Sequence, residues 1–252
     1  MGKTGNHLRT AMVLAAGFGT RMEDLTADIP KSLLPLNGHR IIDAGLFKLA
    51  AQGIERVIIN LHYHGDQVER HIGNGERYGL EVFYSREEIL LDTGGGIANA
   101  ESLFAGETIL AANADVLSDI SVSSLFDFHI TEKAVATMSV KPSRNNKDYS
   151  LVLYDEQNRL HGFLGKGQPI PKNYFSGIFT GYQVLTAKAR AYLKTLVQSV
   201  IDGFYLPALK DGEKISVFPF TGKWIDLGTK EQYLAFRKDV EMKKVNLEFF
   251  TT

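Results

Sequence analysis

The sequence predicts an α/β fold: a largely parallel sheet with helices on both faces. Three observations predict it. Short apolar runs alternate with segments whose apolar residues recur at helical spacing. The first of those runs ends in a glycine-rich turn, Leu14-Ala15-Ala16-Gly17-Phe18-Gly19-Thr20-Arg21-Met22. The chain has 252 residues, 44% of them hydrophobic and 23% charged, which suffices to bury a sizeable core without staples.

In chain order, residues 11–15 form the first strand candidate and lead into the glycine-rich loop. Ile42, Leu46, Leu49 and Ala50 recur at helical spacing, with Gly53 as the stop. Residues 57–60 read as the next strand, about 66–72 as a polar helix, and 81–84, after Gly79, as a strand. Residues 108–112 make a strongly apolar strand ending near Asn113-Ala114-Asp115. A helix over 122–130 and a strand over 134–140 follow. This β-α-β-α order predicts a three-layer, Rossmann-like, mostly parallel sheet.

The second half is more irregular. Residues 151–154 and 177–185 are β-like, separated by a loop containing Lys166, Pro169 and Pro171. A helix is expected over 186–197 with Thr186 as N-cap. Late strands are expected at 215–220 and 223–225, and a terminal helix over 230–243. With no internal repeat or low-complexity stretch, one domain is expected over 1–252: about 8–130 as its first half and about 131–241 as its second.

Composition excludes several classes. The formal net charge is -1, so there is no global electrostatic case for nucleic acid or an anionic membrane, and any phosphate binding must be local. The absence of cysteine rules out disulfides and thiolate metal sites and leaves the redox compartment open. No apolar run reaches the roughly 18 residues of a membrane span. The polar start Met1-Gly2-Lys3-Thr4-Gly5-Asn6-His7 lacks the apolar centre of a signal peptide, so the cytoplasm is the default expectation.

The loop after the first strand suits an anion. Its small residues allow close backbone approach, and consecutive N–H groups can form a concave site. Arg21 adds a planar, permanently charged fork. The loop is not a Walker A sequence, because Gly-Lys-Ser/Thr is missing, nor the Rossmann fingerprint, because Met22 stands at the third glycine position. Alone it reads equally as a tight strand-to-helix turn. Further on, Pro30-Lys31-Ser32-Leu33-Leu34-Pro35 holds a lysine between two stiffening prolines. Lys31 is either a solvated surface lysine or a second cation on the same phosphates.

Two aspartates far apart in sequence both follow apolar strands. Asp115 falls beyond the carboxyl end of its strand, where ligands bind in open α/β sheets. Asp226 lies in Lys223-Trp224-Ile225-Asp226-Leu227-Gly228-Thr229. Singly, each reads as a turn former or helix N-cap. Meeting at one point, two carboxylates suit Mg²⁺, which binds through one or two carboxylates plus substrate phosphates. In Leu91-Asp92-Thr93-Gly94-Gly95-Gly96-Ile97, three glycines allow close approach, and a helix start after them offers free N–H groups. Asn60 and Asn113 sit at strand ends, where they can meet a base or ribose or simply satisfy a turn.

The segment from Leu14 to Met22 followed by Pro30 to Pro35 resembles the signature of the sugar-1-phosphate nucleotidylyltransferases. The resemblance runs from about residue 8 to 241 and implies a fold of the nucleotide-diphospho-sugar transferase type. It implies that Leu14, Ala15, Ala16, Gly17, Gly19 and Thr20 wrap a triphosphate that Arg21 and Lys31 contact. Thr93, Gly94, Asn60 and Asn113 would then lie against the nucleotide, and Asp115 and Asp226 would hold Mg²⁺. Thr229 would cap the terminal helix. Phe179-Thr180-Gly181-Tyr182 resembles the strand that presents a small residue to the sugar, which assigns Gly181 to the sugar and Lys166 to the sugar phosphate. Asp148, before the strand at 149–153, is either an acceptor for sugar hydroxyls at that sugar-phosphate site or an exposed loop aspartate. There are departures. Glu23-Asp24 stands where a neutral or basic residue and then proline are usual, and these carboxylates should point outward. Ala114 replaces the usual glycine before the first aspartate, and Gly165 the glutamate before Lys166.

The stretches Ile59-Asn60, Gly73-Asn74-Gly75, Leu91 to Ile97 and Phe179-Thr180-Gly181 resemble most the branch that uses UTP and N-acetylmuramate 1-phosphate. Mannose- and heptose-1-phosphate guanylyltransferases share much of this, so base and sugar stay open. The implied partners are a nucleoside triphosphate and a sugar 1-phosphate, with no nucleic acid and no membrane, in a monomer or small homo-oligomer. A non-catalytic regulatory protein that binds nucleotide sugars is the rival class, and would be expected to lose the cations or carboxylates present here. A glycosyltransferase would be expected to show Asp-x-Asp, which Asp115-Val116-Leu117 does not supply. Transfer of a cytidylyl group to phosphocholine would need an aromatic cage, and the sequence locates none.

Overall fold

A computed structural model of the chain describes residues 7–145 and 147–245. β1 (Thr10–Leu14) runs into the glycine-rich loop, two 3-10 turns and a small hairpin, β2 (Pro35–Leu36) and β3 (His39–Arg40). Then come α1 (Ile41–Ala51), β4 (Arg56–Leu61), α2 (Gly65–Ile72), β5 (Glu81–Arg86), α3 (Asp92–Asn99), β6 (Ile109–Asn113), β7 (Val116–Ser118) and α4 (Val122–Glu132). The second half contributes β8 (Ala136–Pro142), β9 (Leu151–Tyr154), β10 (Leu160–Leu164), β11 (Phe175–Leu185), α5 (Ala187–Arg190), α6 (Leu206–Lys210), β12 (Ile215–Pro219), β13 (Trp224–Asp226) and α7 (Lys230–Glu241).

One mixed sheet runs through both halves. β5, β4, β1 and β6 are parallel neighbours, and β11 joins β6 antiparallel. β11 also pairs β8 and β9 antiparallel, and β8 pairs β12 in parallel. Side chains alternate between faces along each strand, and the core divides accordingly. Ala11, Val13, Val57 and Ile59 pack with Ile42, Leu46 and Leu49 of α1, Val68 of α2 and Leu125 of α4. Met12, Ile58, Ile109 and Ala111 pack on the other face with Ile97 of α3, Ala189 of α5 and Ala208 of α6. Helices thus cover both faces, as the alternating pattern predicts. Among the described residues no helix is long and apolar enough to cross a membrane.

Local signals set the helix ends. Gly53, at φ +85, stops α1. The Thr186 hydroxyl accepts from the Ala189 N–H at 3.2 Å and caps α5. Thr229 caps α7 in a reciprocal box with Gln232. The helix expected over 186–197, however, ends at Arg190. The segment beyond it instead meets α3: Gln198 O accepts from both Gly94 N–H and Gly95 N–H, at 3.0 and 3.1 Å.

A third apolar cluster underlies the ends of the parallel strands. Met22 of the loop, Leu34, Leu36, Ile41 and Leu117 pack against Leu227 and against Tyr233 and Phe236 of α7. The terminal helix therefore anchors the glycine-rich loop from below.

Candidate active site

Strand register brings three predicted residues side by side. In the parallel ladders Leu14 is opposite Asn60 of β4 and Asn113 of β6. Beyond these carboxyl ends opens a cleft in two continuous halves, of about 480 and 370 Å³. The larger half is walled by Ala15, Gly17, Phe18, Gly19, Thr20 and Arg21 on one side and by Lys31, Ala114, Asp115 and Gly228 on the other. The smaller half is lined by Ala16, Asn60, Thr93, Asn113 and Val197. Leu14, Gly17, Leu90, Asp92 and Asp115 border both.

The loop holds its shape for identifiable reasons. Gly19 sits at φ +68, where a β-carbon would press on the Lys31 and Thr26 side chains at 3.2 Å. The Ala15 N–H donates to Asn60 Oδ1 at 2.8 Å, and Asn60 Nδ2 donates to Glu87 Oε1 at 2.7 Å. Glu87 Oε2 accepts in turn from the Leu91 N–H at 2.9 Å. Asn60 thus acts on the site by holding the loop. Arg21 is exposed on the cleft rim, and among the described residues it has no ion-pair partner. Glu23 and Asp24 carry their carboxylates away from the cleft, to Lys230 Nζ at 2.9 and 2.5 Å.

Lys31 is not a solvated surface lysine: the residue is 9% exposed. Its Nζ lies 2.5 Å from Asp115 Oδ2. Asp226 reaches the same place through the two-stranded ribbon of β7 and β13, in which Asp226 is opposite Val116. The Leu227 N–H donates to Asp115 O at 3.0 Å and locks the register. Burial, and the Asp115 carboxylate beside it, push the Asp226 carboxyl above the ordinary carboxylate range. The Tyr149 hydroxyl, Lys31 and the Gly228 N–H oppose that shift. Two facing carboxylates sharing one lysine form a site short of positive charge. Among the described residues no group of three or more His, Cys, Asp or Glu side chains could hold a metal. An all-oxygen pair without further protein ligands fits Mg²⁺, which completes its shell with phosphates and water.

The other predicted residues fall less centrally. The Gly94 cluster lies inside α3, which starts at Asp92, so the expected helix start after the glycines is not found. Its first N–H groups are not free, since Gly94 and Gly95 both donate to Gln198 O. The glycines serve packing: a β-carbon on Gly95 would lie 2.0 Å from Leu196 O, and one on Gly96 would lie 2.6 Å from Glu87 Oε1. Gly181, at φ +85, lies behind Asn113 rather than on the cleft wall. Asp148 and Lys166 are exposed and line neither half of the cleft.

Sequence reasoning missed three residues. Ser32 lines the cleft with a buried hydroxyl that has no partner among the described residues. Glu87 is 6% exposed but sits in Arg86-Glu87-Glu88, which reads as a solvated charge run. Tyr149 donates to Asp226 Oδ2 at 3.0 Å from a loop with no motif around it.

Comparison with known proteins gives the family and the fold. A family model described as nucleotidyl transferase matches residues 10–243. A mannose-1-phosphate guanylyltransferase of Mycobacterium tuberculosis is 32% identical over 93% of the chain, which spans 65% of that protein's length. An N-acetylmuramate alpha-1-phosphate uridylyltransferase of Neisseria meningitidis serogroup B is 32% identical over 87% of the chain and 93% of its own length. The crystal structure of HddC from Yersinia pseudotuberculosis superposes with a TM-score of 0.78 at 22% identity, covering 92% of this chain and all of that one, which shows a common fold.

Proposed function

The chain belongs to the nucleotidyl transferase family, and from that premise we propose that it transfers a nucleotidyl group from a nucleoside triphosphate to a sugar 1-phosphate, with Mg²⁺ as metal and UTP as donor. The observation that carries this reading is the 2.5 Å contact of Lys31 with Asp115 inside the cleft walled by the glycine-rich loop, with Asp226 beside it. A triphosphate cradle and a metal-type carboxylate pair then meet at one cleft.

In the proposed reaction an oxygen of the sugar 1-phosphate forms a bond to the α-phosphorus. The bond from that phosphorus to the bridging oxygen breaks, and pyrophosphate leaves with the electron pair. The nucleophile is already an anion, so neither a general base nor a covalent enzyme intermediate is required. The N–H groups of the loop and Arg21 stabilise the charge that develops on the leaving group. Lys31 is held rigid by Asp115 and its prolines, and it orients the phosphates without a reorganisation cost. Asp115 and Asp226 would hold the Mg²⁺, which would supply positive charge against the repulsion between the two phosphate groups. In the smaller half, Thr93, Asn113, Leu90 and Val197 surround the space for the base.

UTP is favoured by the uridylyltransferase relative, whose length the chain spans almost entirely. GTP is the second reading, supported by the guanylyltransferase relative. The test is a pyrophosphate-release panel of each nucleoside triphosphate against several sugar 1-phosphates, with and without Mg²⁺. We expect one pairing to dominate and to need the metal, and Asp115→Ala to abolish it. No release in any combination would leave a nucleotide-sugar-binding protein in place of an enzyme.

A further inference from the structure

Asp226 is met from the second half of the chain by a hydrogen-bond relay whose direction can be worked out. Gln232 Oε1 accepts from the Thr229 N–H at 3.0 Å, as the helix cap of α7 requires. The amide of Gln232 is therefore oriented, and its Nε2, 2.8 Å from the Tyr149 hydroxyl, must donate to it. Tyr149 then has its single proton left to give, and Asp226 Oδ2 at 3.0 Å receives it. The ring has little freedom to turn away: it packs edge-on against Trp224, with centroids 5.6 Å apart at 66°. Trp224 is itself tied by its indole N–H to Thr180 O at 2.9 Å.

We propose that Tyr149 is a positioning residue that holds the Asp226 carboxylate toward Asp115, so that the pair can share one divalent cation. This rests on the reading of Asp115 and Asp226 as metal ligands. Without the hydroxyl, what favours the charged carboxylate among the described residues is the Gly228 N–H and the pull of Lys31. It is then free to turn from its neighbour, which repels it. The relay also ties the capped start of α7, which anchors the loop, to a loop of the second half beside Asp148. Hydrogen-bonded partners of metal-ligating carboxylates commonly contribute about 10–100-fold to metal affinity.

The test uses the full chain and Mn²⁺ as a paramagnetic probe, titrated in the presence of a non-hydrolysable nucleoside triphosphate and followed by electron paramagnetic resonance. Tyr149→Phe keeps the ring and removes only the hydroxyl. We expect Mn²⁺ affinity to fall at least about tenfold, with kcat falling in parallel, the KM for the triphosphate within about twofold, and the melting temperature little changed. Tyr149→Ala, which also removes the ring, should weaken Mn²⁺ binding no less. If Tyr149→Phe binds Mn²⁺ like the parent while Asp226→Asn does not, the proposal is overturned and the metal assignment stands. If only Tyr149→Ala weakens binding, the ring acts by packing and the proposal is likewise overturned. If Asp226→Asn leaves Mn²⁺ binding unchanged, the metal assignment fails and takes the proposal with it.

Discussion

Replacing Lys31 with methionine removes one charge while keeping an unbranched side chain of similar length. The Lys31 side chain is 11% exposed and its partner Asp115 25% exposed, with 2.5 Å between Nζ and Oδ2. Removing one member of a fully sealed ion pair costs about 3–5 kcal/mol, because the other charge is stranded. Water still reaches Asp115, so the cost here should be nearer about 1–2 kcal/mol. For a chain of this size that corresponds to a melting temperature lower by roughly 3–6 °C. The loss has a direction that metal can reverse. Without Lys31, Asp115 and Asp226 face each other with no shared cation, so Mg²⁺ should stabilise Lys31→Met more than the parent. Turnover should not recover in the same way, since the cation on the phosphates is gone; a loss of about 10²–10³ in kcat is expected, as for a transition-state hydrogen-bond donor. Thermal melts with and without Mg²⁺, alongside pyrophosphate release, measure both. Unchanged melting and near-parental turnover would refute the reasoning. Equal Mg²⁺ stabilisation of the two proteins would refute the shared-charge account of the carboxylates.

Three further outcomes follow from the geometry. Gly95→Ala would place a β-carbon 2.0 Å from Leu196 O, a backbone atom, so the 194–199 segment must shift. We expect a loss of about 3 kcal/mol and a raised KM for the triphosphate, because Val197 lines the smaller half of the cleft; an unaltered melting temperature would contradict the packing. Asn60→Ala leaves the Ala15 N–H and the Glu87 carboxylate without their bonds. That should cost about 1–3 kcal/mol and raise the KM for the triphosphate more than it lowers kcat; steady-state kinetics showing an unchanged KM would remove the loop-holding role. Burial pushes the His129 imidazole down from 6.5 to about 4. The unfolded chain therefore binds the extra proton between those values, and stability should fall as pH drops from about 6.5 toward 4, by up to about 3 kcal/mol. His129→Gln should flatten that part of the pH profile in urea titrations, and an identical slope in both proteins would contradict the burial account.

The features legible in the sequence are those built by neighbours along the chain. The apolar run before Gly17, the stop at Gly53 and the caps at Thr186 and Thr229 each depend on a few adjacent residues. The features that escaped depend on distant ones. The helix expected over 186–197 stops at Arg190, and the segment beyond it meets the start of α3 through Gln198 O, an interaction invisible in either segment alone. The same contact turns Gly94 and Gly95 from an expected approach to a helix start with free N–H groups into a packing surface. Nothing around Glu87 in the sequence marks it as buried, and its bonds to Asn60 and Leu91 join two segments that only the fold brings together. Lys166 followed from resemblance and Asp148 from its place before a strand, and the structure leaves both at the surface outside the cleft.

By itself, then, the sequence determined the parallel half of the sheet, the loop that follows β1, and the residue types of the proposed phosphate and metal site. Periodicity, turn chemistry and capping act over short separations and survive in a linear reading. Only the tertiary structure decided that Lys31 lies against Asp115, that the β7–β13 ribbon carries Asp226 to the same point, and that Tyr149 meets it from behind. Those contacts are set by strand register and core packing between segments far apart in the chain, where a shift of one residue in register would move a carboxylate to the other face of its strand.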